Sequence, residues 1–444
     1  MGVFVRIWAG QLVSTIGSYM TVFALMIWIW QETGSATTLA LVTFFSQLPR
    51  IAVTPFAGII VDRFPRKQLM LLGDVVAAIG TLVIGLLFWQ NSLQLWHLYI
   101  VVTLYGCFGQ LQTLAYSTSI ALLVSKENYT RAESMVSAVG YSGAIFSPIL
   151  AGSLYPLVGL TGIIAIDLST FGIAFLLLAL ATIPNPPASK EASKEDNSAV
   201  MGWQGLTFGF RYIFSKPGLV AMVIAFSCFA VPSDIGKALY NPMILARSGG
   251  DAQVLGLVTT AAGVGGVLGA LLVGISGGFN PRIHGMLLGF IATGLFKVLL
   301  ALGNAPLVWM FAHFMATLAI PLFYSSSNAI WYAKVPPDLQ GRVLAADQMI
   351  GLGVGAIAPL IAGPLADNIF EPAMRSENVF SATFAPLFGS TEGSGMALMY
   401  AISSLMMALV GIGGYCFGQL REVEQRLPDH NLIVTTEDTN ATSV

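Results

Sequence analysis

The sequence predicts an all-α integral membrane protein: twelve transmembrane helices in two pseudo-symmetric six-helix bundles. Three observations predict it. Of 444 residues, 55% are hydrophobic and only 9% charged, against about 25% charged in a soluble domain. The apolar residues fall into twelve runs of about 20, the length that crosses a bilayer. The basic residues fall almost wholly on one side of that zigzag.

The elements follow in order. Span 1 covers 5–30, with Arg6 alone among apolar residues; the run is too long for a cleaved signal and is expected to be retained. Spans 2 to 6 cover 37–61, 68–90, 96–124, 132–155 and 160–183. Residues 184–217 break the pattern. They open with Pro-Asn-Pro-Pro and an Ala/Ser/Lys/Glu stretch, read as a polar linker. Trp203, Leu206, Phe210, Ile213 and Phe214 then share one helical face, as in an interfacial amphipathic helix. Spans 7 to 12 cover 218–246, 252–275, 284–303, 306–334, 341–367 and 396–420. The chain thus divides into a first bundle (1–183), a linker with an amphipathic helix (184–217), a second bundle (218–420) and a polar tail (421–444) expected to lack fixed structure. The longest outer connection, 368–394, carries Phe370, Phe380, Phe384 and Phe388, and part of it is expected to fold over the outer mouth.

Placing the N-terminus in the cytoplasm puts Arg6, Arg63, Arg66, Lys67, Lys126, Arg131, Lys190, Lys194, Arg211, Lys216, Arg282, Lys334, Arg342, Arg421 and Arg426 inside, and leaves Arg247 and Arg375 in outer loops. This asymmetry predicts a multi-pass protein of the cell (inner or plasma) membrane with both termini cytoplasmic. A net charge of −2 without a basic patch points away from nucleic acid. Cys107, Cys228 and Cys416 lie far apart in apolar stretches, and the four histidines are scattered, so neither a disulfide nor a metal site is expected. No cofactor is expected, and the chain reads as a monomer surrounded by membrane lipid.

The halves repeat weakly. Arg131, Pro148 and Gly152 recur as Arg342, Pro359 and Gly363 at an offset of 211, and Pro65-Arg66 recurs as Pro281-Arg282 at an offset of 216. Two related six-span halves mark a large class of transporters. Between spans 2 and 3 stands Gly58-Ile-Ile-Val-Asp62-Arg63-Phe-Pro-Arg66-Lys67. This resembles in full the signature loop of the major facilitator superfamily, and the resemblance extends over roughly 4–420. It implies a transporter of a small-molecule substrate, not an enzyme, working by alternating access. It also implies that the loop latches the two halves together at the cytoplasmic side. Asp62 suits the N-terminus of span 11, where a helix dipole favours an anion. Arg63, Arg66 and Lys67 can pair with Asp74, Glu127 or Glu133; the bland alternative is a set of topogenic charges on a solvated turn. In the second half Gly278 stands where the acid should be, so the latch is expected to be asymmetric. Thr130-Arg131-Ala132-Glu133 reads as a capping box opening span 5, and Arg131 and Arg342 join the gating set.

Within the superfamily the chain is most similar to the macrolide-efflux and enterobactin-exporter branch. The residues are Thr33-Gly34-Ser35, Ile166-Asp167, Ala366-Asp367 and Phe370-Glu371-Pro372. That implies export of an amphipathic drug-like compound or siderophore; the carrier is read as driven by a gradient of protons or another ion. Leu104-Tyr105-Gly106-Cys107 departs from drug antiporters that carry an Arg before the span 4 glycine, which puts their coupling scheme in doubt here.

Charges at membrane depth are costly and mark candidate sites. Arg50 lies near mid-bilayer on span 2, and Asp234 and Lys237 lie three apart on span 7. They either serve substrate or proton, with Arg50 and Asp234 linked, or Asp234 and Lys237 simply neutralise each other. Lys297 is expected to snorkel to the outer interface. Asp74 and Asp167 sit on peripheral spans and read as structural pairs. Gln110, Gln112 and Tyr116 on span 4 and Tyr324 and Asn328 on span 10 complete the candidate substrate-binding set, with interhelical hydrogen bonding as the alternative role. Gly263-Val-Gly265-Gly266 follows no strand and reads as helix packing, and no phosphate loop is present. Competing with export are a lipid or lysophospholipid flippase of the same fold and a non-transporting membrane sensor. The sensor is disfavoured because no soluble domain is attached.

Overall fold

In a computed structural model the chain is helical, with no strand among the described residues, which are 2–125, 129–183 and 203–429. The first half forms α1 (Gly2–Thr33), α2 (Ala36–Arg63), α3 (Arg66–Trp89), α4 (Leu95–Leu123) and α5 (Tyr129–Leu180). α5 holds two of the expected spans, because Gly159 breaks it with φ of 63°, a conformation that glycine adopts without a Cβ clash. The second half forms α6 (Trp203–Phe214), α7 (Pro217–Arg247), α8 (Ala252–Ser276), α9 (Arg282–Leu302), α10 (Pro306–Leu318), α11 (Ile320–Lys334) and α12 (Pro337–Leu365). A π-turn (Ala366–Phe370), α13 (Glu371–Arg375), α14 (Val379–Phe388), α15 (Ser394–Cys416), α16 (Gly418–Arg421) and α17 (Val423–Arg426) complete it. α10 and α11 are one span, broken where Pro321 lacks an N–H to continue the ladder. With the two arms of α5 and with α12, the apolar helices account for the twelve expected spans.

The chain forms two compact units. Unit 1 is Met1–Pro187, Lys237–Gly263 and Pro359–Leu398; unit 2 is Ala188–Gly236, Val264–Ala358 and Met399–Val444. Unit 1 therefore contains the expected first bundle together with parts of α7, α8, α12 and α15. Within it α1 packs along α5, α2 along α4, and α3 against both α4 and α5. Its interior is built on Ile7, Met70 and Leu178.

Within unit 2, α9 packs on α10 and α11. Its core stacks Phe229 on Phe290, 3.9 Å between centroids, with Phe323 edge-on at 5.2 Å from Phe290. The expected amphipathic helix is α6. Of its apolar face, Ile213 is buried in the unit 2 core and Phe214 is 66% exposed. The linker 184–202 lies outside the described residues.

The tail expected to lack structure from 421 instead begins with α16 and α17. The buried Lys334 ammonium donates to the carbonyls of Glu424 (2.7 Å) and Leu427 and pairs with Asp429 at 2.8 Å. The Glu424 carboxylate accepts from the Ile283 N–H at 2.9 Å. A buried ammonium must find acceptors, and here the tail supplies them. Residues 430–444 lie outside the described residues.

Candidate functional site

The most fully built polar site lies in unit 1, where α1 turns into α2. Gly34, at φ +56°, ends α1 by returning its N–H to the Trp30 carbonyl at 2.8 Å. Ser35 then caps α2, accepting from the Thr38 N–H at 3.3 Å. The first turn of any helix leaves N–H groups without intrahelical partners. Here Asp367, in the π-turn after α12, takes them: its carboxylate accepts from Ser35 Oγ (2.7 Å), Ala36 N–H (3.1 Å) and Thr37 N–H (2.8 Å). One turn earlier, a Cβ on Gly363 would stand 2.5 Å from Thr37 Cα, so the helices approach backbone to backbone.

The other repeat glycine does the same at a second contact. A Cβ on Gly152 of α5 would stand 2.7 Å from the Ala252 carbonyl oxygen of α8, and one on Gly256 would stand 2.5 Å from the Pro148 carbonyl. Thr260 Oγ1 donates to the Ile145 carbonyl at 3.0 Å along the same seam.

Beside Asp367 opens a cavity of about 580 Å³ lined by Trp30, Ser35, Glu371, Arg375 and Glu392 among others. The long connection folds back here. Glu371 accepts from the N–H groups of Gly393 (3.2 Å) and Met396 (2.8 Å) and lies 3.5 Å from Arg375. Burial nevertheless holds its carboxyl above the ordinary glutamate range, partly offset by those N–H donors and by Arg375. The connection is also tied down within unit 1, where Arg247 Nη2 donates to the Phe388 carbonyl at 3.4 Å.

The expected substrate residues fall in both units. Arg50 is exposed and donates its Nε to Gln110 Oε1 at 2.8 Å, tying α2 to α4. This partner is a neutral amide, which pairing by opposite charge does not predict. Gln112 turns to the other side of α4 and donates to Asp74 Oδ1 at 2.6 Å. Tyr116 packs among the apolar residues of the same unit. In unit 2, Tyr324 is 45% exposed and joins the aromatic cluster, 4.6 Å from Phe323 and 5.5 Å from Phe226. Asn328 is exposed, and half-buried Asp234 lies against Gly355 of α12. Lys237 is exposed. Lys297, expected to snorkel, is only 6% exposed and lies on the buried side of α9.

The signature loop is organised differently from its expected pairing with acids. Arg66 Nη1 donates to the Thr118 carbonyl at 2.7 Å, and Lys67 Nζ to the carbonyls of Ala179 and Ala181, each at 2.7 Å. Lys67 thus satisfies carbonyls at the end of α5, where a helix C-terminus attracts cations. The repeat carries the first of these contacts: Arg282 Nη1 donates to the Ala329 carbonyl at 3.3 Å. Arg63 is exposed at the end of α2. The side chains of Asp62, Thr130, Arg131, Glu133 and Arg342, and all of Lys126 and Glu127, lie outside the described residues.

Comparison with known proteins agrees with this architecture. The family model for the Major Facilitator Superfamily matches residues 7–240. Macrolide efflux protein A of Streptococcus pyogenes is 25% identical over 82% of this chain and 90% of its own length. The multidrug efflux pump Tap of Mycolicibacterium fortuitum is 23% identical over 92% and 94%, and the enterobactin exporter EntS of Citrobacter koseri 25% over 67% and 70%. Among solved structures, the nucleoside transporter NupG superposes with a TM-score of 0.69 at 14% identity, covering 93% of this chain and 99% of that one.

Proposed function

The chain belongs to the major facilitator superfamily, a family of membrane transporters rather than enzymes, and we propose that it exports a small amphipathic molecule, drug-like or a siderophore, by alternating access driven by protons. Likeness to efflux proteins along most of the chain supports the direction and substrate class. The observation that carries the mechanism is the seam in unit 1. Asp367 on the N-terminus of α2, and glycine-close backbones at Gly363–Thr37 and Gly152–Ala252, form a closed gate at the end bearing the Ser35 turn.

In this reading that end faces the outside, both termini are cytoplasmic, and the protein works as a monomer in the lipid of the plasma membrane. The gate opens to release cargo when Asp367 lets go of α2. Arg50 and Gln110 contact a polar group of the substrate, and Tyr324 an apolar part. The signature-loop residues and Arg131, Glu133 and Arg342 close the opposite end.

The test is accumulation of erythromycin and of a catecholate siderophore in a pump-deleted strain, with and without a protonophore. Expression of the protein should lower accumulation of at least one, and the protonophore should erase the difference. Unchanged accumulation of both, or efflux indifferent to the protonophore, contradicts the reading. A lipid flippase remains the second reading on one observation. Arg50 is exposed, and only its Nε is engaged among the described residues, which suits a phosphate headgroup. Scrambling of a fluorescent lysophospholipid in proteoliposomes, lost in Arg50→Gln, would favour it.

A further inference from the structure

We propose that Asp74 is the proton-binding group of this transporter, a buried carboxyl on α3 that is protonated in the closed-gate state and is read by Gln112 of α4. The inference rests on the proton-driven reading and names the site that reading lacks.

Asp74 is 3% exposed. Oδ1 accepts from Gln112 Nε2 at 2.6 Å, while Oδ2 is buried without a hydrogen-bond partner among the described residues. Gln11 of α1 lies against the same carboxyl. No cation compensates it: the described ion pairs do not include Asp74, and Arg66, two turns earlier on α3, spends its Nη1 on the Thr118 carbonyl. The facing side chains are thus Gln11 from α1 and Gln112 from α4. Farther along the packed helices stand Arg6 of α1, His97, Tyr105 and Tyr116 of α4 and Asp167 of α5, and none of these makes a described ion pair with Asp74. A carboxylate met only by neutral amides, with no counter-ion, is the costly arrangement that proteins avoid by neutralising the group.

Asp167, the other buried acid of unit 1 at 1% exposure, is the contrast. The hydroxyls of Ser18, Thr21 and Thr81 face it. Ser18 and Thr21 can turn their O–H groups onto an ionised carboxylate, while Thr81 shares its hydroxyl with Tyr105. Asp74 has no such set, so a proton on Oδ2 completes its site, with Gln11 as the acceptor once the amide presents its oxygen.

The placement of Gln112 gives the proton a way to act. Gln110 and Gln112 lie on one helix and engage α2 and α3 respectively. When Asp74 loses its proton it needs further donors, and α4 must shift to bring them. That shift moves Gln110 against Arg50, so the proton state of α3 is felt on the exposed Arg50 side of α4.

The test uses the full-length protein in lipid and two readouts that need no substrate. Infrared spectroscopy at mildly acid pH should show a protonated carboxyl band that Asp74→Asn removes and Asp74→Glu restores. Maleimide labelling of Thr37→Cys, at the gate, divided at each pH by the rate for the same chain unfolded so that thiol ionisation cancels, should rise several-fold between acid and alkaline pH, and this ratio should become independent of pH in Asp74→Asn. A band unchanged in Asp74→Asn, or gate labelling that keeps its pH dependence, overturns the proposal. Should Asp74→Asn fail to fold, Gln112→Leu answers instead: the band should shift in frequency, and an unmoved band overturns the assignment. Failure of export is seen separately, as wild-type cells that accumulate erythromycin and siderophore normally while the carboxyl band is still present.

Discussion

The two backbone seams of unit 1 are copies of one design with different polar chemistry. Gly363 meets Thr37, and Gly152 meets Ala252; the glycines are 211 residues apart, and the facing turns open with Ser35 and Asp251, 216 apart. At α8 the N-terminus is satisfied locally: Asp251 Oδ1 accepts from Gln253 N–H (2.8 Å) and Val254 N–H (3.2 Å). At α2 the carboxylate comes from Asp367, more than 300 residues away in the chain. The α5–α8 seam can therefore part without stripping a helix of its cap. Parting the α2–α12 seam leaves α2 its Ser35 cap but returns three charge-assisted hydrogen bonds from Asp367 to water. One seam behaves as a sliding contact and the other as a latch.

This contrast can be broken or sharpened by substitution. The largest effect is expected from Gly363→Leu, since its Cβ would meet backbone rather than a movable side chain. Overpacking of about 2–3 kcal/mol should hold the seam open, abolish export and raise labelling of Thr37→Cys. Gly152→Leu should be as damaging; if it is silent, the two seams are not equivalent in packing. Next, Asp367→Asn should weaken the latch by about 1–2 kcal/mol, the worth of an anion at a partly buried helix N-terminus, and raise basal labelling without loss of expression. Asp251→Asn should change gate labelling little, about a few tenths of a kcal/mol, because Asn caps a helix as well as Asp. Equal effects of these two substitutions would erase the distinction between latch and slide.

The smallest effect concerns pH. Glu371, one turn from Asp367, has its carboxyl held above the ordinary range by burial. Its stabilising contribution is therefore present in acid and lost as pH rises through that elevated value. Thermal unfolding in detergent should show this slope in the wild type and lose it in Glu371→Gln. A slope that survives must come from another group.

Much of the fold was legible because its determinants are local. Span lengths, the Ser35 cap, the break before α2 and the Pro-led starts of α3 and α9 all reside in a few neighbouring residues. The repeat was also legible, through Gly152 and Gly363, but its purpose was not: a glycine spacing does not say which backbone it admits. The site was legible in its residue types and opaque in its pairings. Arg50 was marked by its depth, yet its partner is an amide 60 residues on. Asp74 was assigned to cations of the signature loop, while Arg66 and Lys67 take backbone carbonyls instead. Lys297 was expected at the interface because it stands near the outer end of its span, and only the packing of α9 shows it on the buried side.

The capture of the tail by Lys334 bears on how the protein is handled at the bench. Because Glu424, Leu427 and Asp429 serve that ammonium, and Glu424 also accepts the Ile283 N–H in the first turn of α9, an affinity tag belongs beyond Asp429. A chain trimmed at Leu420 would leave a lysine enclosed in the unit 2 core with its acceptors removed, and low yield from such a truncated version would reflect that lysine rather than a fault in the transport machinery.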